Sequence, residues 1–256
     1  MPSGYIEMGD YEVNALNDWI KQGGTLIAHN RSSRFIASNE TLGDVKQLQD
    51  VLDKSIDYNF DLLREIYALE DNLDQEAALK HIVDLETTYP WELNETNYSE
   101  DELKNRDKWQ SIFMPSGAFV AGRTDQKHWL TFGTPKTLPV LYGNYPVLMT
   151  GNNAEAPIRI GELVENSDVN EFRTINWSTL PAGKDIKVRM SGLVWPEAAQ
   201  RIANSAYLTR EQVGKGQIIL FAGEPNFRGS TRGTNRVWLN AIVYGPGLGT
   251  SPRIQL

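Results

Sequence analysis

VRMSGLVWPEAAQRIANSAYLTREQVGKGQIILFAGEPNFRGSTRGTNRVWLNAIVYG, residues 188–245, is the stretch whose reading decides the fold class. It reads as helix, β-turn, buried strand, irregular loop and closing helix. Gly214-Lys215-Gly216 forms the turn, because glycine relieves the steric limit on positive φ. QIILFA, residues 217–222, is a short apolar run of β-branched and aromatic side chains, the composition of a strand covered on both faces. Pro225 stops that strand, and a polar loop over 226–235 leads to a closing helix over 236–244. The loop therefore follows the carboxyl end of a central strand, where open α/β sheets keep their sites.

Working outward, residues 10–22 place Val13, Leu16, Trp19 and Ile20 on one helical stripe ended by Gly23-Gly24. TLIA, residues 25–28, follows at once as a buried strand. Helix, glycine pair and buried strand make half of a βαβ unit, which implies a parallel sheet. No strand precedes that helix, and MPSG reads as the tail of one, so the chain is expected to begin inside a domain of a longer protein.

Two regions complete the organisation. An α/β body is expected over 1–38 and 109–256, interrupted by an acidic helical insert over 39–108. Within the insert Leu42, Val45, Leu48 and Leu52 step by three and four, as do Leu63, Ile66, Leu69 and Leu73, then Leu79, Ile82 and Leu85. Pro90 breaks the last stripe, and 91–109 reads as a loop with one short helix. Strand-like runs follow at 113–120, 138–149, 158–163 and 186–190. Gly143-Asn144 is placed to turn a hairpin between 140–142 and 146–149.

The formal charge of −8 is uneven. Residues 39–108 hold 19 acidic and 7 basic residues, net −12, while the remainder has 18 basic and 14 acidic residues, net +4. An acidic insert on a nearly neutral body is a poor nucleic-acid binder, and no nucleic-acid partner is expected. With no cysteine, disulfides, thiolate metal sites and cysteine nucleophiles are excluded. No apolar run approaches the roughly 20 residues of a membrane span.

GGTLIA, PSGAFVAGRTDQKHWLTFG, SGLVWPE, GKGQIILFAGEPNFRG and RVWLNAIVYG, in that order, resemble the C-terminal domain of bacterial zinc carboxypeptidases of the carboxypeptidase A type. That domain is similar to class I glutamine amidotransferases but lacks their catalytic residues. The resemblance implies a doubly wound, flavodoxin-like α/β fold with a helical insert and some added β-strands. It also implies a periplasmic or secreted parent whose peptidase domain would be this chain's partner, with zinc belonging to that domain and no cofactor here. A homo-oligomer is the other partner expected, since related domains serve in assembly. Met114-Pro115-Ser116-Gly117 stands where the family has Pro-Gly-Ser, Trp129 replaces a proline after His128, and the helical insert is long.

The residues carry little chemistry of their own. A carboxypeptidase zinc site needs His-x-x-Glu and a distant His. Here His29 is followed at the fourth place by Ser32, His81 by Asp84 and His128 by Thr131. Ser3 and Ser116 lie in no G-x-S-x-G elbow. The glycines of 245–249 follow the closing helix, whereas a phosphate cradle opens one. No catalytic residue and no metal ligand is therefore assigned. What remains is the sheet's carboxyl edge, with His29, Asn30 and Arg31 after one strand and Glu224, Asn226 and Arg228 after another. If those strands are neighbours, the six groups converge on a crevice able to take a small anion or peptide carboxylate. The alternative is that Pro225, Phe227 and Arg228 pin the loop, Arg228 bonding backbone carbonyls.

Overall fold

The computed structural model describes residues 1–69, 99–168 and 171–248. The chain opens with helix α1 (Asp10–Lys21), strand β1 (Thr25–His29) and the short helix α2 (Arg31–Ala37). Val13 and Ile20 of the expected stripe are buried, while Trp19 faces outward. Strand β2 (Lys46–Gln47) and helix α3 (Ser55–Leu69) come next, and helix α4 (Glu100–Ile112) follows the undescribed 70–98. Then come β3 (Ala118–Thr124), β4 (Thr137–Tyr142), β5 (Leu148–Met149), β6 (Ala154–Ile160) and β7 (Glu162–Glu165). Strands β8 (Arg173–Ile175), β9 (Ser178–Leu180), β10 (Lys184–Lys187) and β11 (Arg189–Ser191) are short. Helix α5 (Pro196–Ile202), β12 (Ala206–Val213), β13 (Gly216–Phe221) and helix α6 (Arg232–Tyr244) close the fold.

The architecture is α/β around one nine-stranded mixed sheet. Its order is β1-β13-β12-β6-β3-β11, with β4 beside β3, and β5 joining β12 to β2. Among the described residues only β1 and β13 run parallel, in register from Thr25–Gln217 to His29–Phe221. The neighbours β13–β12, β12–β6 and β6–β3 are all antiparallel, where the glycine-pair reading predicts parallel strands. The reason lies in residues 206–213, which form strand β12 between the expected helix and the glycine turn. Gly214-Lys215 thereby becomes a tight hairpin link, and a hairpin can only join antiparallel strands. Gly216 is held so closely that a Cβ there would lie 2.0 Å from the Ile20 carbonyl oxygen.

Two further expectations change. Gly143-Asn144 turns no hairpin, because β4 pairs with β3 whereas β5 pairs with β2 and β12. The stripe Leu42, Val45, Leu48 and Leu52 is not a helix. Gly43 at φ 92 interrupts it, β2 enters the main sheet, and two 3-10 turns follow. All four side chains are nevertheless buried, since strand and 3-10 geometry also direct them inward. So 39–54 is woven into the sheet, and only α3 and α4 carry the helical character of this region among the described residues. Leu62, Leu63 and Ile66 are the buried face of α3. Helix α4 starts at a capping box, in which Glu102 N–H donates to Ser99 Oγ and Ser99 N–H to Glu102 Oε2. The later leucine stripe, Pro90, and the His81/Asp84 pair lie outside the described residues.

Two ion pairs fasten these helices. Arg159 on β6 donates from Nε and Nη2 to the Glu65 carboxylate of α3, both at 2.6 Å. Arg201 on α5 donates to Asp107 on α4 at 2.8 and 3.1 Å, with both side chains buried. Among the described residues no helix is long and apolar enough to cross a membrane.

Candidate functional site

Strands β1 and β13 are neighbours, so the loops after them do meet. His29 is paired in register with Phe221, and Asn30 N–H donates to Phe221 O at 3.0 Å. Asn30 takes φ 52, ψ −116, a conformation ordinarily left to glycine, and forms a sharp elbow between β1 and α2. Its side-chain Nδ2 donates to Glu224 Oε1 at 3.2 Å, joining the elbow to the loop after β13. Ser33, in the first turn of α2, donates to Phe221 O at 2.8 Å and fixes the helix to the strand end.

His29 is committed elsewhere. Ser3 N–H donates to its Nε2 at 3.3 Å, which leaves the proton on Nδ1, buried and without a partner among the described residues. The ring stands edge-on to Trp238 of α6 at 5.6 Å, and Trp238 stands against Phe221 at 5.4 Å. Burial pushes the His29 pKa down; Glu224 opposes that and the N-terminal ammonium adds to it, so the imidazole is neutral near pH 7. The amino-terminal residues lie along this edge: the Met1 ammonium donates to Ile27 O, and Pro2 O accepts from Ser32 Oγ.

Arg228 neither joins His29 nor pins its loop. It is exposed, its guanidinium lies over the Phe227 ring at 5.1 Å, and its backbone takes φ 50. The loop is held instead by the Pro225 carbonyl, which accepts from Thr231 Oγ1 at 2.9 Å and Thr234 Oγ1 at 2.7 Å. Asn226 is exposed as well.

The open space at this edge lies on the α2 side. A cleft of about 440 Å³ is lined by Asn30, Arg31, Arg34 and Asn144, with Tyr5 and Phe35 among its apolar walls. Of the six predicted residues it takes only Asn30 and Arg31. Arg34 has no part in the sequence reading, and Asn144 enters it only as half of an expected turn. The i, i+3 spacing of Arg31 and Arg34 on one helix was the available signal, whereas nothing local announced Asn144, which arrives from the end of β4.

Behind the elbow lies a group of phenols. Tyr207 is fully buried, its hydroxyl has no hydrogen-bond partner among the described residues, and burial with the charge of nearby Tyr145, Tyr142 and Glu224 pushes its pKa up. Tyr142 donates to Pro146 O at 3.3 Å.

Neither described histidine, His29 or His128, sits as a metal ligand would. His128 accepts Leu130 N–H on Nδ1 at 3.1 Å and meets Glu155 through Nε2 at 3.3 Å, so both its nitrogens are occupied. Among the described residues no three His, Asp or Glu side chains are grouped to hold a metal ion.

Neither a family model, nor a curated protein, nor a solved structure matches this chain.

Proposed function

We propose that this chain is a non-catalytic accessory domain of a periplasmic or secreted zinc metallocarboxypeptidase-like protein, docking on the peptidase domain and stabilising it. The body would be amidotransferase-like and derived from a doubly wound, flavodoxin-like fold, in which β1, its elbow and α2 keep a parallel pairing with β13. Zinc would belong to the peptidase domain alone.

An exposed aromatic cluster carries this reading. Trp109 and Phe113 of the α4 end stand edge to face at 4.9 Å, and Phe113 meets Trp195 at 6.3 Å. Around them Ile112 is 74% and Leu193 65% exposed, with both tryptophans about half exposed. A contiguous group of exposed large apolar side chains marks an interaction surface, and a protein partner is the occupant this reading assigns to it. The elbow adds support: it presents an amide, tied to Glu224, where a strand–helix elbow of a hydrolase presents a nucleophile.

The test is titration calorimetry of the chain into the peptidase domain of its parent protein, beside an assay for release of C-terminal residues from peptides. Saturable binding that Leu193→Ser/Trp195→Ser abolishes is expected, with no release by the chain alone. Release by the chain alone, or binding unchanged in the double variant, overturns the reading. Self-association lost in the same variant, without peptidase binding, would assign the surface to homo-oligomerisation instead. A carbohydrate- or peptide-binding module, the remaining alternative, predicts saturation by oligosaccharide or peptide at the sheet-edge crevice and its nearby tryptophans.

A further inference from the structure

The aromatic cluster of the docking role borders a groove with a more specific chemistry. The groove lies between the carboxyl end of α4 and the segment joining β11 to α5, and encloses about 390 Å³. Ile112, Phe113, Pro115, Leu193 and Trp195 supply its apolar walls. The spacing of those walls is fixed, since the buried pair of Asp107 and Arg201 ties the same two helices together. Among the described residues no charged side chain lines the groove, although the chain has a net charge of −8. A charged occupant would lose its hydration there without gaining a partner.

The rings narrow the occupant further. Trp109 and Phe113 are inclined at 67°, and Phe113 and Trp195 at 62°. Rings set edge to face leave slots between ridges, whereas a sugar stacks on an open, flat aromatic face. The centroid steps of 4.9 and 6.3 Å are close to the roughly 6 Å that two residues of a polyproline II helix advance.

The polar groups point the same way. Both tryptophans are about half exposed, and neither indole N–H donates to a described residue. An indole N–H can only donate, and the lining side chains add no further N or O atom except the Ser116 hydroxyl. A proline residue is the converse, a carbonyl acceptor without an N–H. A proline-rich helix is also ordered before it binds, so a small groove can hold it at low entropic cost.

We propose that this groove binds an uncharged, proline-rich segment in the polyproline II conformation. Its pyrrolidine rings sit between Phe113, Leu193 and Trp195, and its carbonyls accept from the Trp109 and Trp195 indoles. This inference rests on the docking reading and deepens it, the segment being the part of the partner that the surface grips.

The experiment is titration of the whole chain with N-acetyl-hexaproline amide. Calorimetry reads the binding, and NMR reads the indole N–H resonances, assigned through Trp109→Phe and Trp195→Phe. Saturation with both resonances shifted is expected, and none by a capped Gly-Ser hexapeptide or by maltohexaose. Trp195→Phe keeps a ring but loses the donor, and should weaken binding about fivefold. Trp195→Ala should weaken it roughly thirtyfold. Phe132→Ala, at an exposed ring beside α6, should leave binding unchanged. Indole resonances of the parent that do not shift would overturn the proposal whatever the variants do. So would full-strength binding by Trp195→Ala, equal binding of the Gly-Ser peptide, saturation by maltohexaose alone, or self-association in place of peptide binding. The two readings fail separately. Peptidase-domain binding lost in Leu193→Ser/Trp195→Ser, without hexaproline binding, sinks this proposal and keeps the docking role. Hexaproline binding without peptidase-domain binding does the reverse.

Discussion

Asn30 donates its side-chain amide to Glu224 across the ends of β1 and β13, so one hydrogen bond of 3.2 Å spans 194 positions of sequence. The bond holds two loops together at the parallel junction of β1 and β13. It does so from a backbone conformation that an L-residue adopts at a cost.

Asn30→Gly and Asn30→Ala separate those two effects. Both lose the bond to Glu224, but glycine also relieves the backbone strain whereas alanine keeps it. Alanine is expected to destabilise the protein by about 1–3 kcal/mol and glycine by less, the difference being the strain itself. Urea midpoints of the two variants measure it. Equal losses would show that the elbow is unstrained.

The neutral His29 makes stability depend on pH in a definite sense. Its pKa is lower in the fold than in the unfolded chain, so protons bind the unfolded state first. Its contribution is therefore fully present above the unfolded value of about 6.5 and lost as pH falls through the folded value. Glu211, buried and accepting the one backbone N–H of Asp44 on both carboxylate oxygens, has its pKa raised by burial and acts in the opposite sense, gaining stability on protonation. Comparing the parent with His29→Gln isolates the histidine: melting temperatures should approach one another as pH drops from 7 to 5. A constant gap over that range would contradict the assignment.

Asp107 and Arg201 form a buried pair that ties α4 to α5. Removing either partner alone leaves a charge in the interior, so Asp107→Ala and Arg201→Ala should each cost about 3–5 kcal/mol. The double change Asp107→Leu/Arg201→Met should recover most of that loss, since apolar packing replaces both desolvated ions. A double-mutant cycle on urea unfolding reads the coupling.

Gly216 offers a steric test. An added methyl would meet the carbonyl oxygens of Ile20 and Gly24 at 2.0 and 2.3 Å, and backbone cannot step aside as a side chain can. Gly216→Ala should cost roughly 3 kcal/mol or more, at the top of the range for overpacking. Gly183→Ala makes a useful contrast, as a Cβ there meets nothing within 4 Å and only its φ of 76 resists the change. The loss at Gly183 should stay within about 1–2 kcal/mol, and a larger loss there than at Gly216 would reverse the steric argument.

Much of the fold could be read from residues in a row. Composition alone marks residues 217–222 as a strand buried throughout, because five consecutive apolar residues, 218–222, between turn formers fit little else. The α1 stripe and the glycine pair likewise specify helix, turn and strand from local steric preference. Pairing direction was not legible in the same way. The run AYLTREQV at 206–213 mixes apolar and polar residues in a pattern that a helix or strand accepts, and only contact with β13 and β6 selects the strand. Residues 42–52 show the same limit, since a three-and-four stepping buries the same side chains in 3-10 and strand geometry. At the site, Asn30 and Arg31 followed from their place after β1, but Arg34 needed α2 to form and Asn144 needed the end of β4 to arrive beside it. Local sequence thus determined which segments are apolar, where they turn and what chemistry their ends carry. Tertiary structure alone decided which strands pair, and whether charged groups distant in sequence meet a counter-charge, because both depend on contacts whose energy no single segment contains.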